Sequence, residues 1–103
     1  AGSIVTLVRK VWNIVATASE DGTAKLWNVV ERKCMQTLIG HRGGVRTAIF
    51  SPDGSLVLTA SDDESAKLWN ASDGICIKTL LGHHGRVRSA VFAPDGSSVL
   101  TAS

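Results

Sequence analysis

The stretch ATASEDGTAKLWN, residues 16–28, reappears as LTASDDESAKLWN at residues 58–70, a displacement of 42 positions. The same displacement carries Cys34 to Cys76, Gly40-His41 to Gly82-His83, and SPDGS at 51–55 to APDGS at 93–97. Aligning residues 37–61 with 79–103 gives 18 identities in 25 positions, with differences such as Ile49 against Val91 and Thr47 against Ser89. Self-similarity at a fixed period of this length marks a repeat architecture, in which each unit is one supersecondary module.

Within the unit the apolar residues alternate with a period of two, and the runs are rich in β-branched side chains, so they read as short strands and not as helices. The unit with both ends present predicts strands near 45–50 (VRTAIF), 56–61 (LVLTAS), 65–70 (SAKLWN) and 75–81 (ICIKTLL). Pro52-Asp53-Gly54, Asp62-Asp63-Glu64 and Ser72-Asp73-Gly74 supply the turns between them. Pro presets φ, Asp accepts a local hydrogen bond, and Gly tolerates positive φ. Each unit is therefore expected to be a four-stranded antiparallel sheet that is apolar on both faces. Such a sheet must stack on copies of itself, and stacking around an axis is the propeller solution.

On these residues the sequence resembles the WD-repeat family, whose unit of about 40 to 45 residues opens near Gly-His and closes near Trp-Asp. The closing pair here is Trp27-Asn28 and Trp69-Asn70, and Asn can make the same short turn bond as Asp. The resemblance implies an all-β fold, a β-propeller fragment of four-stranded antiparallel blades with between two and three blades present. It also implies a buried hydrogen-bonded chain from a strand Trp through a strand Ser or Thr to the His of Gly-His and a turn Asp. Carried over by position, the chain is Trp69, Ser61, His41 and Asp63 in the second unit. The first unit supplies Ser19, Asp21 and Trp27 without a His, and the third supplies His83 and Ser103.

The first unit is short. Thr6-Leu7 matches Thr37-Leu38 at a shift of 31, Val8-Arg9 matches Val45-Arg46 at 37, and Ile14-Val15 matches Leu56-Val57 at 42. The deficits are 37 − 31 = 6 and 42 − 37 = 5 residues, both at loop positions. A hairpin needs at least about two loop residues, so the expectation is that the sequence skips a loop between Leu7 and Val8 and another between Trp12 and Asn13. The corresponding organisation is an outer strand of a preceding blade over 1–7, a first blade over 8–39, a second over 45–81, and two strands of a third over 87–103. The whole is expected to be part of a longer chain or assembly.

Composition narrows the function. Eleven Lys and Arg against nine Asp and Glu, scattered in sign, and no Tyr give no basic stripe interleaved with stacking aromatics, so direct nucleic-acid binding is not expected. No apolar run approaches the roughly 20 residues needed to cross a bilayer, and no secretory signal pattern opens the chain, so no membrane insertion is expected. Cys34 and Cys76 hold equivalent places in successive units, too far apart for a disulfide. They are expected to be free, buried thiols, in keeping with an intracellular, cytoplasmic setting.

His41, Ser61 and Asp63 could also be read as a catalytic triad. The pattern recurs from unit to unit and lacks an oxyanion-hole turn or nucleophile elbow, so the reading is a non-enzyme. His83-His84 with Asp95 falls short of metal-ligand spacing, and no phosphate-binding Gly-rich loop is present; no cofactor is expected. Surface loops then carry function. Arg42, Arg46, Arg86 and Arg88, facing Glu20, Asp62 and Glu64 across neighbouring blades, are the candidate contacts to other proteins, because Arg pairs bidentately with carboxylate or phosphate. The reading is a WD-repeat scaffold for protein–protein interaction. Its alternatives are the propeller domain of a larger signalling ATPase or kinase, and a purely structural wall in a large complex.

Overall fold

A computed structural model of the chain describes residues 5–8 and 13–103, and every regular element in it is a strand. The first sheet is formed by β1 (Val5–Val8), β2 (Ile14–Ala18), β3 (Thr23–Asn28) and β4 (Lys33–Ile39), in that order. The second sheet is formed by β5 (Val45–Phe50), β6 (Leu56–Ser61), β7 (Ala66–Asn70) and β8 (Cys76–Leu80). A third, two-stranded sheet pairs β9 (Ser89–Phe92) with β10 (Val99–Ala102). All pairs are antiparallel between sequence neighbours, so each sheet is an up-and-down meander. Among the described residues no helix is long and apolar enough to cross a membrane.

The turns follow from their residues. Asp53 Oδ1 accepts Ser55 N–H (3.0 Å), Ser55 O–H (2.8 Å) and Ser51 O–H (2.7 Å), and Gly54 takes φ +79°. The departure from Trp-Asp to Trp-Asn keeps the turn. Asn28 Oδ1 accepts the N–H of Val30 and of Glu31, each at 3.0 Å, and Asn70 Oδ1 accepts Ser72 N–H at 3.0 Å. A register shift recurs at equivalent places in the first two sheets, between Leu26 and Trp27 and between Leu68 and Trp69. Bulges of this kind bend a strand and re-aim its side chains.

Stacking hides what a single sheet would expose. Ala16, Ala18, Ala24, Leu26 and Leu38 of the first sheet form one core with Val45, Ala48, Phe50, Val57 and Trp69 of the second. Leu58, Ala60 and Ala66, on the second sheet's other face, pack with Val87 and Ala90 next to Phe92 and Val99. Burying each large apolar side chain of such a core contributes roughly 1.5–3 kcal/mol. Small alanines on the face of the first sheet, opposite Trp69, Val57 and Phe50 of the second, let the sheets approach closely. The backbone joins them as well: Val45 N–H donates to Ser19 O and, 42 residues on, Val87 N–H donates to Ser61 O, both at 2.9 Å.

Two expectations for the start of the chain are corrected. Val5–Val8 is not the outer strand of a preceding sheet but the first strand of the sheet containing β2, in register Val5↔Ala18 to Val8↔Val15. Leu7 and Val8 are consecutive residues of that strand, opposite Ala16 and Val15, so no loop intervenes there. A strand gains its ladder at least entropic cost from a near neighbour in sequence. The junction between Trp12 and Asn13 lies outside the described residues. The cysteines are free, but Cys34 is exposed and Cys76 half-buried, because both lie on the outermost strand of their sheet, where no further strand covers them.

Candidate functional site

Two polar constellations stand out, one buried and one open. In the buried one, Trp69 Nε1–H donates to Thr59 Oγ1 at 2.8 Å, and Thr59 Oγ1 lies 2.7 Å from His41 Nε2. His41 Nδ1 lies 2.9 Å from Asp63 Oδ2. A neutral imidazole protonated on Nδ1 satisfies the whole chain: indole N–H to Thr oxygen, Thr O–H to Nε2, Nδ1–H to carboxylate. Asp63 also accepts Ser65 N–H (2.9 Å), Ser65 O–H (2.6 Å) and Arg42 N–H (3.0 Å). Burial pushes its carboxyl up, but the bonds from Ser65, His41 and Arg42 outweigh it and hold Asp63 well below the usual carboxylate range. Burial lowers the His41 imidazole despite the opposing pull of Asp63.

The hydroxyl in this chain is Thr59 and not Ser61, a correction to the sequence assignment. Ser61 Oγ donates to Gly43 O at 3.1 Å and accepts Asp63 N–H at 3.0 Å, so it shapes the turn. Both side chains share the face of Trp69, whose cross-strand partner is Val57. Thr59 is the next residue along that face, and Ser61 lies a further two residues, about 6.6 Å, beyond. Counting cross-strand distance from the tryptophan is the signal that separates them. The same holds in the other units, where Trp27 Nε1–H donates to Thr17 at 2.9 Å and His83 Nε2 meets Thr101 Oγ1 at 2.7 Å. In place of the expected roles in that chain, Ser19 accepts Asp21 N–H, and Asp21 holds Thr23 N–H and O–H. The geometry also speaks against a triad, since Ser61 faces a carbonyl and Thr59 is fully buried.

The open constellation gathers around Asp62. Arg46 Nε donates to both Asp62 oxygens, at 2.9 and 3.1 Å, and its Nη2 makes a third bond, at 2.5 Å, to Oδ2. This pair is within one unit, where the sequence reading had the charges facing each other across units. The contact across units is Arg86 Nε, 4.0 Å from Asp62 Oδ1. The Arg46 bond, with the fields of Arg46, Arg86 and Arg88, lowers the Asp62 carboxyl against burial. Asp62 in turn raises Arg46, with a smaller contribution from Glu20. Two cavities flank the carboxylate, one of about 360 Å³ lined by Arg46, Asp62, Arg86 and Arg88, the other of about 540 Å³ lined by Asp62, Glu64, Gly85, Arg86, Arg88 and Ser103. The structure thus brings Arg46, Arg86, Arg88, Asp62 and Glu64 together. Arg42 lines neither cavity, and its backbone N–H serves Asp63.

Comparison with known proteins agrees with this architecture. The family model described as "WD domain, G-beta repeat" matches residues 5–28, 32–70 and 74–103. The chain is 40% identical over 42 residues to F-box/WD repeat-containing protein 7 of Drosophila melanogaster, covering 41% of the chain and 3% of that protein. It is 44% identical over 39 residues to Nuclear distribution protein PAC1 of Cryptococcus neoformans (38% of the chain, 9% of the relative). It is 45% identical over 40 residues to the Lissencephaly-1 homolog of Heterostelium pallidum (39% and 10%). The matched segment thus spans a tenth or less of each of these relatives.

Proposed function

Because the chain belongs to the WD-repeat family, we propose that it serves as a non-catalytic scaffold for protein–protein interaction, as one segment of a larger ring of sheets that works inside the cell. One observation carries the reading. Val15, Thr17 and Trp27 in the first sheet are, at the 42-residue displacement, the same residues as Val57, Thr59 and Trp69 in the second. In the second sheet that face is docked, with Val57 at 0% and Trp69 at 1% exposure. In the first it borders a cavity of about 390 Å³ also lined by Asn28, Val29 and Arg32. Leu100 and Val91 at the other end are exposed at 68% and 48%, where their equivalents Leu58 and Ile49 are packed. The cover that fits both ends is another sheet of the same kind.

A ring so built leaves its connecting tips for other proteins, and the Asp62 cluster is the candidate contact. Near-identity of the units favours a purely structural wall, but the loops differ in charged residues, Arg42 against His84 and Gly44 against Arg86, which favours selective binding. The test is hydroxyl-radical footprinting of the full-length protein. Trp27 and Val15 are expected to be as protected as Trp69 and Val57; high reactivity of Trp27 alone would sink the ring. Substituting Arg46 and Arg88 together is expected to remove a protein partner, and a partner profile unchanged by that substitution would leave the wall as the role.

A further inference from the structure

We infer that Arg86 and Arg88 together receive a carboxylate side chain from an acidic peptide segment of a partner protein. The inference rests on the scaffold reading and supplies the chemistry of its contact. The two guanidiniums are set side by side by the backbone. Val87 between them is fully buried and its N–H is tied to Ser61 O, while Arg88 N–H is tied to Ala102 O at 2.8 Å. Both arginines line both cavities, so the backbone that carries them is ordered before a ligand arrives, which lowers one cost of binding.

Their hydrogen-bonding capacity is unspent. Arg46 occupies both oxygens of Asp62. Arg86 stands 4.0 Å from that carboxylate with its side chain 66% exposed, beyond hydrogen-bond reach. Among the described residues the Arg88 side chain makes no hydrogen bond, and it acts on Asp62 only through its field. Among the residues lining the two cavities, the guanidiniums of Arg46, Arg86 and Arg88 stand against the carboxylates of Asp62 and Glu64, and Arg46 is bonded to Asp62. One positive charge is left over, and the fork of N–H donors on each guanidinium matches a carboxylate. The nearby Asp62 and Glu64 disfavour a dianionic phosphate more than a monoanion.

The repeat makes the site singular. Arg86 stands where the preceding unit has Gly44, whereas Arg46 and Arg88 are equivalent. In the second unit that glycine is pressed against its neighbours, its absent Cβ 3.3 Å from Asp62 Oδ2 and 3.4 Å from Glu20 Cα. The junction between the second and third units therefore carries two arginines, Arg86 and Arg88, where the junction between the first and second carries Gly44 and Arg46.

The experiment uses the full-length protein and fluorescein-labelled dodecapeptides carrying two Glu separated by zero to three Gly or Ser residues, with Gln and phosphoserine counterparts, followed by fluorescence polarisation. At least one Glu spacing is expected to bind about tenfold or more tighter than its Gln counterpart, to weaken with salt, and to lose that advantage in Arg86→Gly and in Arg88→Gln. Arg86→Gly restores the residue the second unit carries, so its fold is secure, and Lys33→Gln on the exposed outer strand is the control. Equal binding of Glu and Gln peptides, an absence of binding by all of them, or binding unaffected by Arg86→Gly overturns the inference. Binding confined to phosphoserine peptides overturns the choice of carboxylate. Any of these leaves the scaffold reading to stand or fall on the footprint of Trp27 and on the partner lost with Arg46 and Arg88.

Discussion

Trp27 and Trp69 hold the same place 42 residues apart, and each donates its indole N–H to a threonine, at 2.9 and 2.8 Å, yet only Trp69 is buried. The difference is a neighbour: the alanine and leucine face of the first sheet covers Trp69, and no described sheet covers Trp27. Trp69→Ala removes a large buried ring and leaves a cavity, so its expected cost is about 3–5 kcal/mol in unfolding free energy by urea titration. Trp27→Ala is expected to approach that figure only in a protein where another sheet closes the face. A cost for Trp69→Ala below about 1 kcal/mol would refute the packing.

Thr59 accepts from Trp69 and pairs with His41. Thr59→Val keeps the shape but strands an indole N–H and an imidazole nitrogen in the interior, at about 1–3 kcal/mol for each unsatisfied group. Ser61→Ala loses only turn bonds and is expected to cost about 1 kcal/mol. Chemical denaturation of the two variants would rank them; the reverse order would restore Ser61 to the buried chain.

Acid should loosen this chain. His41 is lowered by burial below its ordinary value of 6.5, so the unfolded chain binds a proton that the folded one refuses. Its contribution is intact above pH 6.5 and declines as pH falls below it. Asp63, lowered from 3.8, adds a second decline below that value, of the same sign. Urea midpoints between pH 8 and 5 are expected to fall for the wild type and to fall less for His41→Gln. Parallel curves would contradict it.

Thr47 Oγ1 is buried without a hydrogen-bond partner among the described residues. Thr47→Val removes that group at nearly constant volume and is expected to be neutral or to stabilise by about 1 kcal/mol. A thermal melt showing clear destabilisation would mean the hydroxyl has a partner.

Gly22 takes φ +92°, and a Cβ built on it would sit 3.2 Å from the carbonyl oxygen of His41. Gly22→Ala therefore meets both backbone strain and a backbone neighbour, with an expected loss on the order of 1 kcal/mol or more in thermal unfolding. An unchanged melting temperature would show that this turn tolerates a side chain.

Much of this protein was readable from its sequence, because a 42-residue repeat with a two-residue apolar alternation permits only strands, and strands apolar on both faces only stacking. The boundaries of β5 and β6 and the turns at Asp53 and Asn70 followed from local chemistry, β7 begins one residue later than read, and the link of Trp69, His41 and Asp63 followed from the family resemblance. What the sequence could not separate were alternatives equal in pattern and different in distance. Thr59 and Ser61 share a face, and only the spacing across strands assigned the hydroxyl. Arg42 and Arg86 are both loop arginines, and only the third sheet's approach put one beside Asp62 and left the other outside the cavities. Periodicity fixes which side a residue takes; how near two residues come is set by the packing of sheets that are remote in sequence.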